Sequence, residues 1–248
     1  MRESRLDDPQ TTQGRREILR GKGFLRRIYG SWYGLLKEAI PGGPGKVLEI
    51  GSGAGFFREV CEEAIASEIL AAPGVSLVLD ARRLPFREGS LRAVVMTDVL
   101  HHIANVREFF AEARRAVRLG GVIAMIEPWN TPWSRLIYRN FHHEPFQPDA
   151  PGWELPEGGP LSIANGALPW IVLRRDRERF EAEFPEWRVA TIKEMMPLRY
   201  LLSGGFSAPG LQPEWTYPAW SALEDAVGSV NRYCGMFAFI LLEKVANH

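Results

Sequence analysis

The residues of this chain whose types and spacing can do chemistry are a run of alternate glycines, four acids and two adjacent pairs of histidines. Gly51, Gly53 and Gly55 follow the apolar run Val47-Leu48-Glu49-Ile50 and precede Phe56-Phe57-Arg58-Glu59-Val60, an order that reads as strand, tight turn and helix start. Glycines at every second position carry no Cβ to hold a ligand off the backbone. They leave amide N–H groups pointing outward at a positive helix end, so the turn has the form of a nucleotide-like cradle. Glu49 stands just before the glycines, and Glu68, Asp80 and Asp98 lie at the ends of the next three apolar runs. His101 and His102 follow, and because imidazole titrates near neutrality they are the candidate bases. His142-His143-Glu144 has the composition of a metal site. Adjacent histidines diverge on a regular element, however, and no His-x-x-x-His spacing is present, so no metal is expected.

Elements that must position these groups follow from periodicity. Residues 1–14 are polar and aperiodic and read as a loose tail. Over 15–40 the residues Phe24, Ile28, Trp32, Leu35, Leu36 and Ala39 recur at steps of three and four, which predicts an amphipathic helix, broken near Gly21-Lys22-Gly23. Its polar side carries Arg15, Arg16, Arg20, Lys22, Arg26 and Arg27, read as a solvated face, with peripheral membrane contact as the competing reading. Strands are expected at 47–50, 64–70, 75–80, 91–96, 122–128, 187–192 and 236–242. Helices are expected at 56–63, 106–119, 174–184 and 219–230, the second closed by Gly120-Gly121 as a C-cap. Continuous apolar strands alternating with helices predict an α/β, Rossmann-like, doubly wound sheet. Residues 129–170, dense in proline, glycine and aromatics, are long for a connection inside a compact domain and read as a lid or substrate-binding insertion. No repeat or composition break marks a second domain, so 1–248 reads as one.

Bulk composition removes several function classes. Lys+Arg and Asp+Glu both number 30, so no global field gathers nucleic acid. Two cysteines, Cys61 and Cys234, do not make a disulfide framework and suit a reducing compartment, with cytoplasm the default. The longest apolar run, Met236 to Leu242, falls far short of the ~20 residues that span a bilayer, and the N-terminus lacks the apolar core of a signal peptide.

The glycine turn has the form G-x-G-x-G. A dinucleotide fingerprint asks for G-x-G-x-x-G, and Phe56 stands where its last glycine belongs. No Gly-Lys-Ser/Thr follows, which removes a P-loop. An adenosyl ligand with little or no phosphate remains. Val47-Leu48-Glu49-Ile50-Gly51-Ser52-Gly53-Ala54-Gly55, Asp80-Ala81 before Leu84-Pro85-Phe86, Val99-Leu100-His101-His102 and Arg118-Leu119-Gly120-Gly121 together resemble the motif series of class I S-adenosylmethionine-dependent methyltransferases. The likeness spans about residues 45–128 and is greatest to the small-molecule branch that includes quinone-biosynthesis methyltransferases.

That resemblance implies a seven-stranded sheet with an antiparallel last strand and S-adenosylmethionine as cofactor. It implies that Gly51, Ser52, Gly53 and Gly55 admit the methionine part, that Glu49 takes its ammonium group, and that Glu68 grips the ribose hydroxyls. Glu68 is preferred to Glu62 or Glu63 because Ala64-Ile65-Ala66 supplies the strand before it. Asp80 and Ala81 are implied at the adenine, and Thr97 and Asp98 beside the methyl group. His102, with His101 second, is the implied base. Trp129, Trp133, Tyr138, His142 and His143, with Glu144, are expected to line the pocket of a small-molecule or lipid-linked acceptor. The competing functional reading is a non-catalytic protein that keeps the fold as a binding or scaffold module.

Overall fold

The computed structural model describes residues 9–246 apart from 54, 143, 157, 160 and 161. Its chain runs α1 (Pro9–Gly21), α2 (Gly23–Glu38), β1 (Lys46–Ile50), α3 (Phe57–Val60), β2 (Ala64–Glu68), β3 (Leu77–Val78), β4 (Leu91–Thr97), α4 (Val106–Ala116) and β5 (Val117–Pro128). It continues through α5 (Pro132–Phe141), α6 (Leu168–Trp170), α7 (Arg177–Glu183), β6 (Trp187–Met195), α8 (Arg199–Ser203), α9 (Tyr217–Ala226), α10 (Asn231–Cys234) and β7 (Phe237–Lys244).

The strands form one sheet in the order β3-β2-β1-β4-β5-β7-β6. All neighbours pair in parallel except β7, which is antiparallel to both β5 and β6. The expected seven-stranded sheet with an antiparallel last strand is therefore present. Val47 and Leu48 of β1, Ala93 to Met96 of β4 and Ile123 to Ile126 of β5 are fully buried, as continuous apolar strands must be when helices cover both faces. From β1 the chain builds outward in both directions, to β2 and then to β4, so a crevice opens between the C-terminal ends of β1 and β4.

Several local expectations change. Helix α1 begins at Pro9, so residues 9–14 are not a tail; Thr12 is buried and Leu19 enters the core. Residues 1–8 lie outside the described part. The break at Lys22 is as expected, and α2 packs its aromatic face, including Tyr29, Trp32 and Tyr33, into the core. Helix α3 is a single turn, not a run to residue 63, which accounts for the short spacing between Gly51 and Glu68. Helix α4 is capped by the Asn105 side chain and stops at Ala116. Gly120 and Gly121 do not cap it; they lie in β5, where Leu91↔Val117 pairing shifts to Ala93↔Val122 and the extra residues bulge. Gly120 has φ +70°, and a Cβ on Gly121 would lie 2.8 Å from the Arg92 carbonyl oxygen, so the bulge itself requires glycine.

The basic side of the N-terminal helices is engaged by the protein. Arg16 donates to the carbonyls of Pro73 and Gly53, Lys22 to those of Gly205 and Ala208, and Arg26 and Arg27 pair with Glu59 and Glu214. Among the described residues no helix is long and apolar enough to cross a membrane. Cys61 and Cys234 are both free thiols, the first buried and the second half-buried.

Residues 196–236, between β6 and β7, form a second cap over the sheet ends that periodicity reduced to one weak helix. It is tied together by Arg199 of α8, which is buried against Glu224 of α9 and also donates to the Tyr217 and Ser221 hydroxyls. Glu224 in turn accepts from the backbone N–H groups of Leu198 and Arg199. Removing one partner of such a buried pair leaves an uncompensated charge. Arg199→Ala is expected to lower unfolding free energy by about 3–5 kcal/mol, measured by urea denaturation.

Candidate active site

A cavity of about 720 Å³ opens over the C-terminal ends of β1 and β4 and is lined by residues of α1, α2, β1, β2, β4, β5, α5, α8 and β7 and the segments between them. One half is built from strand ends. Gly51 and Gly53 take positive φ, +69° and +37°. A Cβ at Gly51 would fall 2.3 Å from Val99 Cγ2, and one at Gly55 would fall 2.1 Å from the Tyr33 hydroxyl. Side chains of the protein itself therefore fill the space those two glycines free. That space is not left for a ligand, as the glycine spacing suggests: Gly51 admits the β4–α4 turn and Gly55 admits α2.

Glu68 ends β2 beneath this turn and accepts from Gly53 N (3.0 Å) and Ile69 N (2.8 Å). Burial raises its pKa while those two N–H groups lower it, and the net effect is upward. Glu63 instead pairs with Arg92 outside the cavity. Glu49 is buried beside Glu68, and burial, then the neighbouring carboxylate, pushes it up to about 8. The Ser52 hydroxyl is buried without a hydrogen-bond partner among the described residues. Asp80 lies further along, already held by Arg82: its Oδ1 accepts from Arg82 N (2.9 Å) and both oxygens meet the guanidinium. The Arg82 hydrogen bond, partly offset by burial, holds Asp80 below the usual carboxylate range. Arg82, not foreseen from sequence, lines the cavity with Asp80 and Ala81.

At the junction of the two halves, Thr97 ends β4 and Asp98 adopts φ +57°, unusual for a residue other than glycine. Burial raises Asp98 to about 7, with His101 opposing and Glu127 and Glu144 adding. Glu127, at the end of β5, is fully buried. It accepts from Val99 N (2.9 Å), Leu100 N (2.7 Å) and the His101 ring, whose Nδ1 lies 2.7 Å away. Burial disfavours the His101 cation, yet its contacts with Glu127 and Glu144 outweigh that and lift it to about 10. His102 behaves oppositely: burial and the neighbouring His101 charge push it down to about 4. Its Nδ1 lies 2.8 Å from the Ile163 carbonyl, which accepts the proton and leaves Nε2 with a lone pair.

The second half is aromatic. Tyr29 and Tyr33 from α2, Tyr138 from α5, Tyr200 and Phe206 from residues 196–236 and Phe237 from β7 close it. His142 and Glu144 also line it, as expected. Trp129 and Trp133 do not: Trp129 is a core residue and Trp133 donates its indole N–H to Pro197 O. His143 lies outside the described residues. Tyr29 and Tyr33 flank Trp32 one turn apart, a signal that the apolar count alone passed over; nothing comparable marks Tyr200 or Phe206.

Residues 48–125 match a protein family described as a methyltransferase domain. No curated protein matches the chain in sequence. Solved structures are similar in fold. Geranyl diphosphate C-methyltransferase from Streptomyces coelicolor A3(2), bound to Mg²⁺, geranyl diphosphate and S-adenosyl-L-homocysteine, is 16% identical with TM-score 0.53 over 89% of this chain and 82% of that one. A Haloferax volcanii putative methyltransferase, solved in complex with the Trm112 methyltransferase activator, gives 13%, 0.57 and 98% of both chains. A putative methyltransferase from Bacillus halodurans C-125 gives 16%, 0.50, and 87% and 99%.

Two outcomes follow from the donor half. Gly51→Ala strains a positive-φ position and collides with Val99, and adenosyl-ligand affinity measured by calorimetry is expected to fall at least tenfold. Glu49 is neutral in the fold below about pH 8 but ionised in the unfolded chain above about 4.3, so the folded state binds the extra proton and stability drops as pH rises between those values. Glu49→Gln is expected to flatten that part of the Tm–pH profile.

Proposed function

We propose that this chain, a class I S-adenosylmethionine-dependent methyltransferase, carries the methyl group to a small-molecule or lipid-like acceptor held in the aromatic half of its cavity. The observation that carries the reading is the single continuous cavity with two chemically different ends, acids and backbone N–H groups at one and aromatic rings at the other.

The residues present suit the cofactor. A buried serine hydroxyl lacking a partner among the described residues, and the buried carboxylates of Glu49 and Glu68 that line the cavity, are groups suited to a polar ligand. Glu68 is assigned to the ribose hydroxyls, Glu49 to the ammonium group, Gly51 to Gly55 and Ser52 to the methionine part, and Asp80 with Ala81 to the adenine. A carboxylate contact of this kind contributes about 1.5–3 kcal/mol. Glu49 would ionise on meeting a cation, which lowers its pKa from the raised value. The bound cofactor supplies a methyl group already activated on a sulfonium.

The protein then has to align the acceptor and exclude water. Alignment alone can contribute about 7–11 kcal/mol. Thr97 and Asp98 stand where the halves meet, and the rings of Tyr29, Tyr138, Tyr200 and Phe206 supply an apolar wall. An acceptor that arrives protonated needs a proton acceptor, and His102, neutral at pH 7 with Nε2 unprotonated, suits that task. His101, tied to Glu127, is assigned to positioning. Residues 129–170 act in this reading as the acceptor-binding insertion, through Tyr138, His142, Glu144 and Ile163. Two free thiols favour a reducing, cytoplasmic setting.

Calorimetry is expected to give micromolar-range S-adenosylmethionine binding, weakened at least tenfold, about 1.4 kcal/mol, by Asp80→Ala. No binding to the wild-type chain would sink the reading. With an apolar acceptor panel and a labelled methyl donor, Tyr200→Ala is expected to raise the acceptor KM severalfold while leaving cofactor affinity unchanged.

A further inference from the structure

We infer that His101, His102 and Glu144 form a binding site for a divalent transition-metal ion of the zinc class, with open positions facing the acceptor half of the cavity. The fold builds this set by bringing Glu144 to the adjacent pair His101 and His102, at least 42 positions earlier, and it is not the His142-His143-Glu144 run.

Three independent features of geometry carry the assignment. First, one ligand atom from each residue lies within 4.8 Å of the others. Second, the histidine–carboxylate separations are long for charge-assisted hydrogen bonds and near the spacing of two ligand atoms about one ion. His101 Nε2 to Glu144 Oε2 is 3.5 Å and His102 Nε2 to Glu144 Oε1 is 3.8 Å. A charge-assisted hydrogen bond would close to about 2.7–2.9 Å. Two atoms each about 2.0–2.2 Å from a tetrahedral ion stand about 3.4 Å apart.

Third, both imidazoles are oriented as metal-bound imidazoles are. The far nitrogen of His101 meets the buried Glu127 carboxylate at 2.7 Å, and that of His102 meets the Ile163 carbonyl at 2.8 Å. An outer carboxylate or carbonyl fixes the tautomer and turns the other nitrogen inward. The Glu127 and Glu144 carboxylates both face His101, an arrangement suited to a cation.

Two nitrogen ligands and one oxygen select against Mg²⁺, which takes oxygen ligands, and suit Zn²⁺, Co²⁺ or Fe²⁺. With an ion bound, His102 Nε2 would serve as a ligand in place of the proton-acceptor role given to it above, and three protein ligands leave room for a ligand from the cavity. On the methyltransferase reading above, on which this last clause rests, that ligand is an oxygen of the acceptor, and the site narrows the acceptor to one bearing a hydroxyl or enol.

Untagged full-length protein, stripped with chelator, is titrated with Co²⁺ and followed by visible absorption, with Zn²⁺ as competitor and Mg²⁺ as comparison. The expected result is one Co²⁺ per chain, displaced by Zn²⁺ and not by equimolar Mg²⁺. Glu144→Gln and His102→Asn are expected each to weaken uptake at least tenfold while S-adenosylmethionine affinity stays within threefold and circular dichroism is unchanged. Acetohydroxamate, a two-oxygen chelating probe, is expected to shift the Co²⁺ bands. No saturable uptake, equal preference for Mg²⁺, or uptake that survives both substitutions would overturn the metal site; bands insensitive to acetohydroxamate would overturn its open positions. Because cofactor binding is measured separately, loss of the metal result leaves the methyltransferase reading standing, and the reverse holds.

Discussion

The carboxylate of Glu127 is the constraint on which the site depends. A carboxylate with no exposed surface is costly unless it is hydrogen-bonded, and here two backbone N–H groups and an imidazole bond it. Those three donors come from Val99, Leu100 and His101, consecutive residues after β4. Satisfying Glu127 therefore fixes the turn that follows β4 against the end of β5. Asp98, immediately before it, is forced into left-handed backbone, and the Val99 side chain is driven into the space that Gly51 leaves. The glycine turn over β1 and the histidines over β4 are two consequences of one buried carboxylate.

The two ends of the cavity meet different physical demands and are built differently. The donor end lies on strand ends of a rigid parallel sheet, where side-chain direction follows from register: Glu49 and Ser67 are joined by a 2.6 Å hydrogen bond across β1 and β2, and Ser52 N reaches Ser67 O. The aromatic end comes from segments that cross the sheet ends, α2 on one side and residues 132–163 and 199–207 on the other. Their positions are held by pairs such as Tyr138 Oη to Met236 O and Arg199 to Glu224, each of which satisfies a polar group that the apolar wall would otherwise leave stranded.

What sequence reveals follows the same division. The sheet, its order-setting glycines, Glu49, Glu68, Asp80 and Asp98 were legible because a parallel strand writes itself as a continuous apolar run and its acids stand at the run's end. The aromatic wall was only half legible. Tyr138, His142 and Glu144 lie in a stretch whose composition announced it, whereas Trp129 and Trp133 looked like lining and are packing. Tyr200 and Phe206 are brought over the sheet by Arg199 and Glu224, twenty-five residues apart, and no local pattern records that pairing.

The shortness of α3 changes how the glycine turn must work. A one-turn helix aligns few peptide dipoles, so the macrodipole that usually draws an anion to such a turn is largely missing. Positive charge arrives from elsewhere: Arg16 of α1 donates to Gly53 O at 3.1 Å, and Arg15 of the same helix lines the cavity. Because Gly53 N is at the same time held by Glu68, the turn is gripped from both sides, by a cation on its carbonyl and an anion on its amide. The N-terminal helix, whose basic side has the composition of a membrane-binding face, thereby holds the glycine turn and brings Arg15 to the cavity.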